Sequence, residues 1–257
     1  MNYYFSNNGY QVVDRTALKD EEIDYENVWG VADENLFTLA MREIDRTVDS
    51  GKPAFTHIMT VSNHRPYTYP EGRIDIPSHT SREGAVKYTD YAIGKFLREA
   101  RQKPWFDNTL FVIVADHCAS SAGKTDLPIH KYHIPMLMYA PAHIQPGRMD
   151  RLMSQIDMGP TLLGMLNFSY KSKFYGYDMA QLEPGRERIF ISTYQLLGYV
   201  RRDTLLVLEP QQRVKAYLPN YADGSVTPVA VDERLRKEAI SWYQSASYAF
   251  RNGLMKK

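Results

Sequence analysis

Hydrophobic positions recur at helical spacing in four stretches of the chain. This spacing predicts helices at about 33–49, 82–102, 155–166 and 232–251. Asp33, Ser81 and Ser154 are candidate caps for the first three, because a short oxygen-bearing side chain satisfies the free N–H groups of a first helical turn. Residues 1–28 show no periodicity and are predicted to be irregular, and the Pro- and Gly-rich stretch 62–80 is predicted to be a loop.

Unbroken apolar runs predict three buried strands, at 54–61, 109–115 and 134–141. A run without polar alternation, such as TLFVIVA, is typical of a central parallel strand that is buried on both faces. From about residue 188 the pattern changes to short strands separated by two to six residues, which predicts an antiparallel meander. These strands are RIFIST, GYVRR, TLLVLE and RVKAYLP. The pattern therefore predicts the α/β class, with a mixed, mainly parallel sheet and flanking helices over residues 1–187. Antiparallel strands and a closing helix over 188–257 are expected to pack on the same domain.

Composition and charge exclude several classes of protein. Charged residues make up 24% of the chain, and no apolar run approaches the ~18 residues of a membrane-spanning helix, which excludes a disordered or membrane-embedded chain. The first residues lack the regions of a signal peptide, so the chain as given is expected to be soluble. The net charge is +1, and the basic residues are dispersed, which is unlike a nucleic-acid footprint and would suit a small anionic substrate. The single cysteine, Cys118, cannot form an internal disulfide.

The clearest candidate for chemistry is the pair Asp116 and His117, which directly follows the apolar run 109–115. Ligands of open α/β sheets bind beyond the carboxyl ends of the strands. A carboxylate and an imidazole at such a position can bind one ion together, and Zn²⁺ and Mn²⁺ accept this mixture of donors. The alternative is structural: Asp116 caps the following turn and His117 is partly buried.

A second candidate is the loop after the run 54–61, where Asn63, His64 and Arg65 stand together. An amide, an imidazole and a guanidinium suit a phosphoryl or sulfuryl group. The alternative is a proline-rich loop with a surface histidine. A third candidate is LPIHKYHIP, where His130 and His133 could complete a metal site, contact substrate or satisfy backbone groups.

These segments together resemble the lipoteichoic acid synthase-like, phosphoglycerol transferase branch of the alkaline phosphatase–sulfatase superfamily. The resemblance covers about residues 28–180. The matching segments occur in the family's order: WGVADENLF, FTHIMTVSNHRPY, AVKYTDYAIGKFLREA, WFDNTLFVIVADH, HIPMLMYAP, and QIDMGPTLLGMLN with YGYDM.

The resemblance implies a mechanism and roles for the candidate residues. In this family a Thr, Ser or Cys attacks phosphorus or sulfur, and a divalent metal, Mn²⁺ or Zn²⁺, holds the nucleophile and the oxyanion. Asp116 and His117 match two of the metal ligands, and His64 matches a histidine that contacts the substrate head group. His130 matches a further active-site histidine of related phosphoethanolamine transferases, and His133 stays a candidate metal ligand.

The chain also departs from the family's pattern. In the family the nucleophile and an acidic ligand lie upstream of the segment that begins WG, and only 28 residues precede Trp29 here. Ser120 and Thr125 follow the metal pair rather than opening a helix. We therefore expect the carboxyl-terminal half of a catalytic domain, with no nucleophile, weak or absent metal binding and no turnover of its own. An exposed sheet in this half is expected to allow self-association.

The parent protein is expected to be anchored in the bacterial inner membrane, with this domain in the periplasm. Its expected activity is transfer of phosphoglycerol from a phospholipid head group to a cell-envelope glycan. A sulfatase is the alternative enzyme, because the two chemistries share a site. A non-catalytic binding or assembly module is the alternative from another class.

Overall fold

The computed structural model describes residues 2–119 and 127–255, which form two compact units. The first unit comprises Met1–Leu110 and Ala140–Ile144, and the second comprises Phe111–Tyr139 and Gln145–Lys257. The first unit contains helices α1 (Asn2–Asn7), α2 (Asp33–Asp49) and α3 (Arg82–Ala100), and the two-residue strands β1 (Glu26–Asn27) and β2 (Gly30–Val31). The second contains strands β3 (Phe111–Val114), β4 (Met136–Tyr139), β5 (Ile189–Ser192), β6 (Leu197–Arg201), β7 (Thr204–Leu208), β8 (Val214–Pro219) and β9 (Val226–Val229), and helices α4 (Met158–Met165) and α5 (Glu233–Arg251).

Short 3₁₀ turns connect several of these elements. They are Arg15–Ala17, Asp20–Glu22, Phe106–Asn108, Ile129–Tyr132, Gln155–Asp157 and Pro210–Gln212. The amino-terminal 28 residues, predicted to be irregular, therefore contain one short helix, two 3₁₀ turns and β1. Within residues 2–119 and 127–255, no helix has both the length and the apolar character that a membrane crossing requires.

Helices α2 and α3 form the centre of the first unit, as their amphipathic spacing predicts. The rings of Phe37 and Phe96 stack with their centroids 4.9 Å apart. Ser81 caps α3 by accepting the N–H of Gly84 at 3.0 Å, so this predicted cap is confirmed. One buried cluster, Ala32, Tyr69, Ala85 and Tyr88, joins the amino-terminal end of α2 to that of α3.

The expected role of Asp33 as a cap of α2 is wrong. Ala32 is the N-cap, and Asp33, which is 0% exposed, turns its carboxylate towards another segment. One carboxylate oxygen accepts the N–H groups of Val61 and Ser62, both at 3.0 Å, and the other accepts the hydroxyl of Thr89 at 2.9 Å. A charged acceptor with three donors is a strong buried interaction, and it fixes the chain just before Asn63.

The predicted buried strand at 54–61 is also wrong. The segment has no strand pairing with the described residues and is largely exposed, with Phe55 78% accessible. Its described ring contacts are with the amino-terminal segment. The ring centroids of Phe5 and His57 are 5.4 Å apart, and those of Tyr10 and Phe55 are 5.9 Å apart. An apolar run indicates a tendency to be buried, but it does not supply the neighbouring strand that a ladder requires. The expected self-association over an exposed sheet stays a prediction.

The run 109–115 does form a strand, β3, but its pairing differs from the prediction. β3 pairs antiparallel with β4, with Phe111 opposite Tyr139 and Val114 opposite Met136. All strand pairs among the described residues are antiparallel, so the expected parallel pairing is not found there. Strands β3 and β4 each have one described partner strand, so neither is enclosed on both edges. Phe111 is buried, Leu137 is exposed, and the other residues of the two strands are half-buried.

The carboxyl-terminal meander is confirmed. Strands β5 to β9 form one five-stranded antiparallel sheet in sequential order, and β9 is a strand that the sequence analysis did not predict. Successive side chains of a strand point to opposite faces. Val200, Leu205 and Val207 therefore pack on one face with Leu127 and Ile129.

The opposite face of the meander is covered by α5. Tyr199 and Leu206 form a buried cluster there with Ala216 and with Ala239 of α5. Asp232, the first residue of the predicted helix 232–251, is the N-cap of this closing helix and accepts the N–H groups of Arg234 and Leu235. The predicted division between residues 187 and 188 falls just before β5 and stays a prediction of domain organisation.

Candidate active site

Asp116 and His117 lie just beyond the carboxyl end of β3, at the position where the sequence predicts a ligand site. Both side chains are open to solvent, with 78% and 62% exposed. The backbone N–H of His117 donates to Oδ1 of Asp116 at 2.8 Å, which leaves Oδ2 directed towards the imidazole. Oδ2 lies 3.6 Å from Nε2 of His117, so the two side chains are close neighbours on one surface.

The tautomer of His117 follows from its second ring contact. Nδ1 lies 2.8 Å from the carbonyl oxygen of Cys118. A carbonyl oxygen can only accept, so Nδ1 carries a proton, and in the neutral ring Nε2 is the nitrogen with the lone pair. This is the arrangement that metal-binding histidines adopt, with one ring nitrogen held by a backbone carbonyl and the other available as a ligand.

The pair suits a divalent ion as half of a site. Metal–nitrogen and metal–oxygen distances at zinc sites are about 2.0–2.2 Å, so one ion can contact two donors that are 3.6 Å apart. Within the part of the chain that the structure describes, no cluster of three or more His, Cys, Asp or Glu side chains is placed to hold a metal. Asp116 and His117 can therefore supply two ligands, and a complete tetrahedral site needs two more.

The loop with Asn63, His64 and Arg65 belongs to the first unit, and all three side chains are exposed. The imidazole of His64 stacks on Trp29, with the centroids 3.8 Å apart and the planes tilted by 40°. The carbonyl oxygen of Arg65 accepts from Nε1 of Trp29 at 2.6 Å and from Nδ1 of His64 at 3.2 Å. Because Nδ1 is the donor, Nε2 of His64 is free to accept from a ligand.

Arg65 also acts on its neighbour Tyr67. Its Nε lies 3.3 Å from the tyrosine hydroxyl, and this contact lowers the pKa of Tyr67 from its usual value. The base of the loop is held by the carboxylate of Asp33, through the N–H groups of Val61 and Ser62. The loop therefore presents an imidazole and a guanidinium on a fixed support.

His130 is placed by the meander. It lies on the 3₁₀ turn Ile129–Tyr132, whose first residue is buried in the core on one face of the sheet. Nδ1 of His130 is buried and makes no hydrogen bond with the described residues. The imidazole of His130 lies directly against Gly224. If residue 224 had a side chain, its Cβ would lie only 1.8 Å from Nδ1 of His130. Gly224 has a φ of +77°, so this turn between β8 and β9 needs glycine both for its backbone and for the histidine.

Replacing Gly224 with alanine is expected to displace His130. Gly185→Ala is the matched control, because Gly185 has a φ of +80° and a Cβ at this position would meet no atom within 4 Å. Both substitutions carry the cost of a left-handed alanine, about 1–2 kcal/mol. Gly224→Ala adds overpacking, typically about 1–3 kcal/mol, and should move the imidazole signals of His130 in NMR spectra. If the two variants lost the same free energy of unfolding and the His130 signals did not move in Gly224→Ala, the contact between His130 and Gly224 would be contradicted.

The other residues that the sequence analysis named are one exposed histidine, one buried cysteine and two residues outside the described part of the chain. His133 follows the same 3₁₀ turn, is exposed, and belongs to no described cluster of three or more ligating side chains. Cys118 is buried. Ser120 and Thr125, which the sequence analysis excluded as nucleophiles, lie outside the described residues.

The structure brings Asp116 next to His117 and holds Asn63, His64 and Arg65 on one loop. From the apolar run that precedes each of them, we also predict that His64 and the Asp116–His117 pair face one cleft, and this stays a prediction because the loop and the pair belong to different units. The assigned roles of all these residues stay predictions as well.

The sequence pattern did not predict the contacts by which other side chains support the site. Trp29, Asp33 and Gln155 act over long sequence separations, and spacing along the chain gives no signal for such contacts. Gly224 had a local signal, because Asp-Gly is a typical turn sequence between two strands.

Comparison with known proteins identifies relatives of this chain. It is 25% identical over 183 residues to phosphoglycerol transferase I of Xanthomonas axonopodis pv. citri, covering 67% of this chain and 26% of that protein. A crystal structure of an alkaline phosphatase superfamily protein from Vibrio parahaemolyticus is 35% identical, with a TM-score of 0.87, over 94% of this chain and 59% of that one. The lipoteichoic acid synthase LtaP from Listeria monocytogenes is 19% identical, with a TM-score of 0.70 over 93% of this chain and 62% of that one, and shares the fold.

These similarities confirm the resemblance and the fold class that the sequence predicts. The chain spans about a quarter of the length of the curated relative and about three-fifths of each solved chain. The family model described as Sulfatase matches residues 1–168, which is more than half of the 257 residues. The chain therefore belongs to the sulfatase family.

Proposed function

We propose that this chain is part of a divalent-metal-dependent phosphoglycerol transferase that acts on phospholipid head groups and modifies a cell-envelope glycan. The observation that carries the proposal is the Asp116–His117 pair at the end of β3, with a free Nε2 lone pair and a carboxylate oxygen 3.6 Å away. The phosphoglycerol transferase name of the curated relative supports phosphodiester chemistry over other reactions of the family.

In this proposal Asp116 and His117 would supply two ligands to Mn²⁺ or Zn²⁺. When bound, the ion would supply Lewis-acid stabilisation of negative charge on the phosphoryl oxygens and activation of the nucleophile. The nucleophile and the other ligands come from a part of the catalytic domain outside this chain, in line with the quarter of the curated relative that the chain spans. The parent protein is proposed to be anchored in the membrane with this domain in the periplasm.

The first-unit loop has the chemistry to bind the head group. Arg65 offers a charged donor to phosphate oxygens, and Asn63 offers an amide to glycerol hydroxyls. Nε2 of His64 accepts from a hydroxyl when the ring is neutral, and donates to phosphate when it is protonated. We assign His130, in the second unit, to substrate contact as well, because the Gly224 turn holds its ring in one place.

Binding of glycerol 1-phosphate, followed by NMR, tests this assignment against both alternatives. The proposal expects His64 signals to shift with glycerol 1-phosphate, and the shift to be lost in Arg65→Ala. His143→Ala, which removes an exposed histidine of the same unit, is the control and should leave the binding unchanged. Preference for a sugar sulfate would favour the sulfatase, and binding of glycan alone would favour the assembly module.

The same proposal expects no turnover by this chain alone, because covalent catalysis needs an activated nucleophile beside the metal. The assay uses a chromogenic phosphodiester with Mn²⁺, and Asp116→Ala is the reference. Rates that match this reference agree with the proposal. Turnover that Asp116→Ala abolishes would show that the nucleophile lies within these 257 residues and would overturn the half-site assignment.

A further inference from the structure

Gln155 reaches across the second unit to the Asp116–His117 pair. Its side-chain Nε2 donates to the carbonyl oxygen of Asp116 at 2.6 Å and lies 3.3 Å from that of Ala115. These two carbonyls belong to the first residues after β3, where the chain has left the sheet ladder. The side-chain amide of Gln155 therefore donates to backbone carbonyl oxygens in the segment that carries the two candidate ligands.

The position of Gln155 is itself fixed by the turn that contains it. The N–H of Ser154 donates to Oδ2 of Asp157 at 2.9 Å, and the N–H of Asp157 donates in return to the carbonyl oxygen of Ser154 at 2.9 Å. The Ser154 hydroxyl oxygen also accepts the N–H of Phe190 at 3.0 Å. The 3₁₀ turn Gln155–Asp157 is thereby tied to strand β5.

Asp157 is held in turn by Arg188. The guanidinium Nη1 donates to both carboxylate oxygens at 2.8 Å, and Nη2 donates to the carbonyl oxygen of Tyr175 at 2.8 Å. The two side chains are 2% and 0% exposed. The guanidinium lies over the rings of Tyr177, Phe190 and Trp242, at 4.2, 5.2 and 5.2 Å from their centroids.

We propose that Gln155 is a positioning residue for Asp116 and His117, and that the buried Arg188–Asp157 pair keeps it in place. The inference rests on the proposed function in one respect, that the two side chains are metal ligands. Their orientation depends on local backbone groups, since Oδ1 of Asp116 accepts the N–H of His117 and Nδ1 of His117 donates to the carbonyl of Cys118. A rotation of the peptide planes would move both donors away from a common ion.

Gln155→Ala tests the proposal, because Gln155 is exposed and its loss leaves no cavity in a core. The matched control is Gln145→Ala, an exposed glutamine of the same unit without a side-chain hydrogen bond in the described structure. The first readout needs no metal: the backbone amide signals of Asp116 and His117 should shift in Gln155→Ala and stay in place in the control. The second readout is the affinity for Mn²⁺, measured by the broadening of the His117 signals, which should fall about 10–100-fold.

The two readouts separate the failure of this inference from that of the proposed function. If the amide signals stay in place and Mn²⁺ still broadens His117 equally in both variants, the positioning role is overturned and the metal site stands. If Mn²⁺ never broadens His117 in the unsubstituted chain, the proposed function fails, and the metal-free amide shifts still decide the role of Gln155. Shifts of equal size in Gln145→Ala would also overturn the positioning role.

Discussion

Replacing Arg188 with methionine is expected to lower the free energy of unfolding by about 3–5 kcal/mol. The substitution leaves Asp157 as a buried carboxylate without its cation, and breaking one partner of a buried ion pair costs this much. It also removes the donor to the carbonyl of Tyr175 and the cation that lies over three aromatic rings. Equilibrium unfolding in urea measures the loss.

Arg186→Met is the matched control. Arg186 lies two residues earlier and pairs with Glu183 at 3.7 Å, but 58% of its side chain is exposed. Exposed pairs contribute about 0–1 kcal/mol, so this variant should unfold close to the unsubstituted chain. Similar losses in the two arginine variants would contradict the central place of the Arg188–Asp157 pair in the second unit.

Elements with a strong periodic signal could be predicted from the sequence alone. Helix α2 spans the predicted 33–49, and α5 spans 233–251 against the predicted 232–251. The meander was predictable because turn residues and short apolar strands alternate at close intervals, and hairpins need only local pairing. In these elements the local preference and the long-range packing agree.

Pairing between distant segments could not be predicted in the same way. The run 54–61 is as apolar as a buried strand, yet it is exposed and unpaired among the described residues. The run 109–115 forms β3, but its partner β4 is antiparallel. Apolar composition reports the tendency to leave water, whereas pairing depends on which other segment is available and in which direction it runs.

In the candidate site, too, local features could be predicted from the sequence and long-range contacts could not. That Asp116 and His117 follow a strand end was predictable, since the apolar run stops at Ala115 and two ligating side chains come next. The amide of Gln155, 39 residues away, was not predictable, because nothing in a local pattern shows which side chain will reach a given carbonyl. The same holds for Asp33, whose acidic side chain suggested a helix cap and instead holds the base of the His64 loop.

The substitution His117→Ala is expected to abolish the binding of Mn²⁺ at the end of β3. With Asp116 and His117 as the two ligands, the remaining positions are left to water. We therefore expect the unsubstituted chain to bind Mn²⁺ with a dissociation constant of about 1 mM or higher. A constant of about 1 mM corresponds to a standard free energy of binding of about −4 kcal/mol. Removing the imidazole leaves a single exposed carboxylate, which has no selectivity for the ion over other surface carboxylates.

Titration of the chain with Mn²⁺ during NMR of its seven histidines tests the central claim most directly, because the paramagnetic ion broadens the signals nearest to it. His79 and His143 are exposed and serve as internal references. We expect His117 to broaden before these references, weakly and reversibly, and Asp116→Ala to remove the difference. Equal broadening of all exposed histidines would contradict a site at the pair. Tight stoichiometric binding lost in His117→Ala would contradict the half-site, since His130 or His133 would then complete the coordination within this chain.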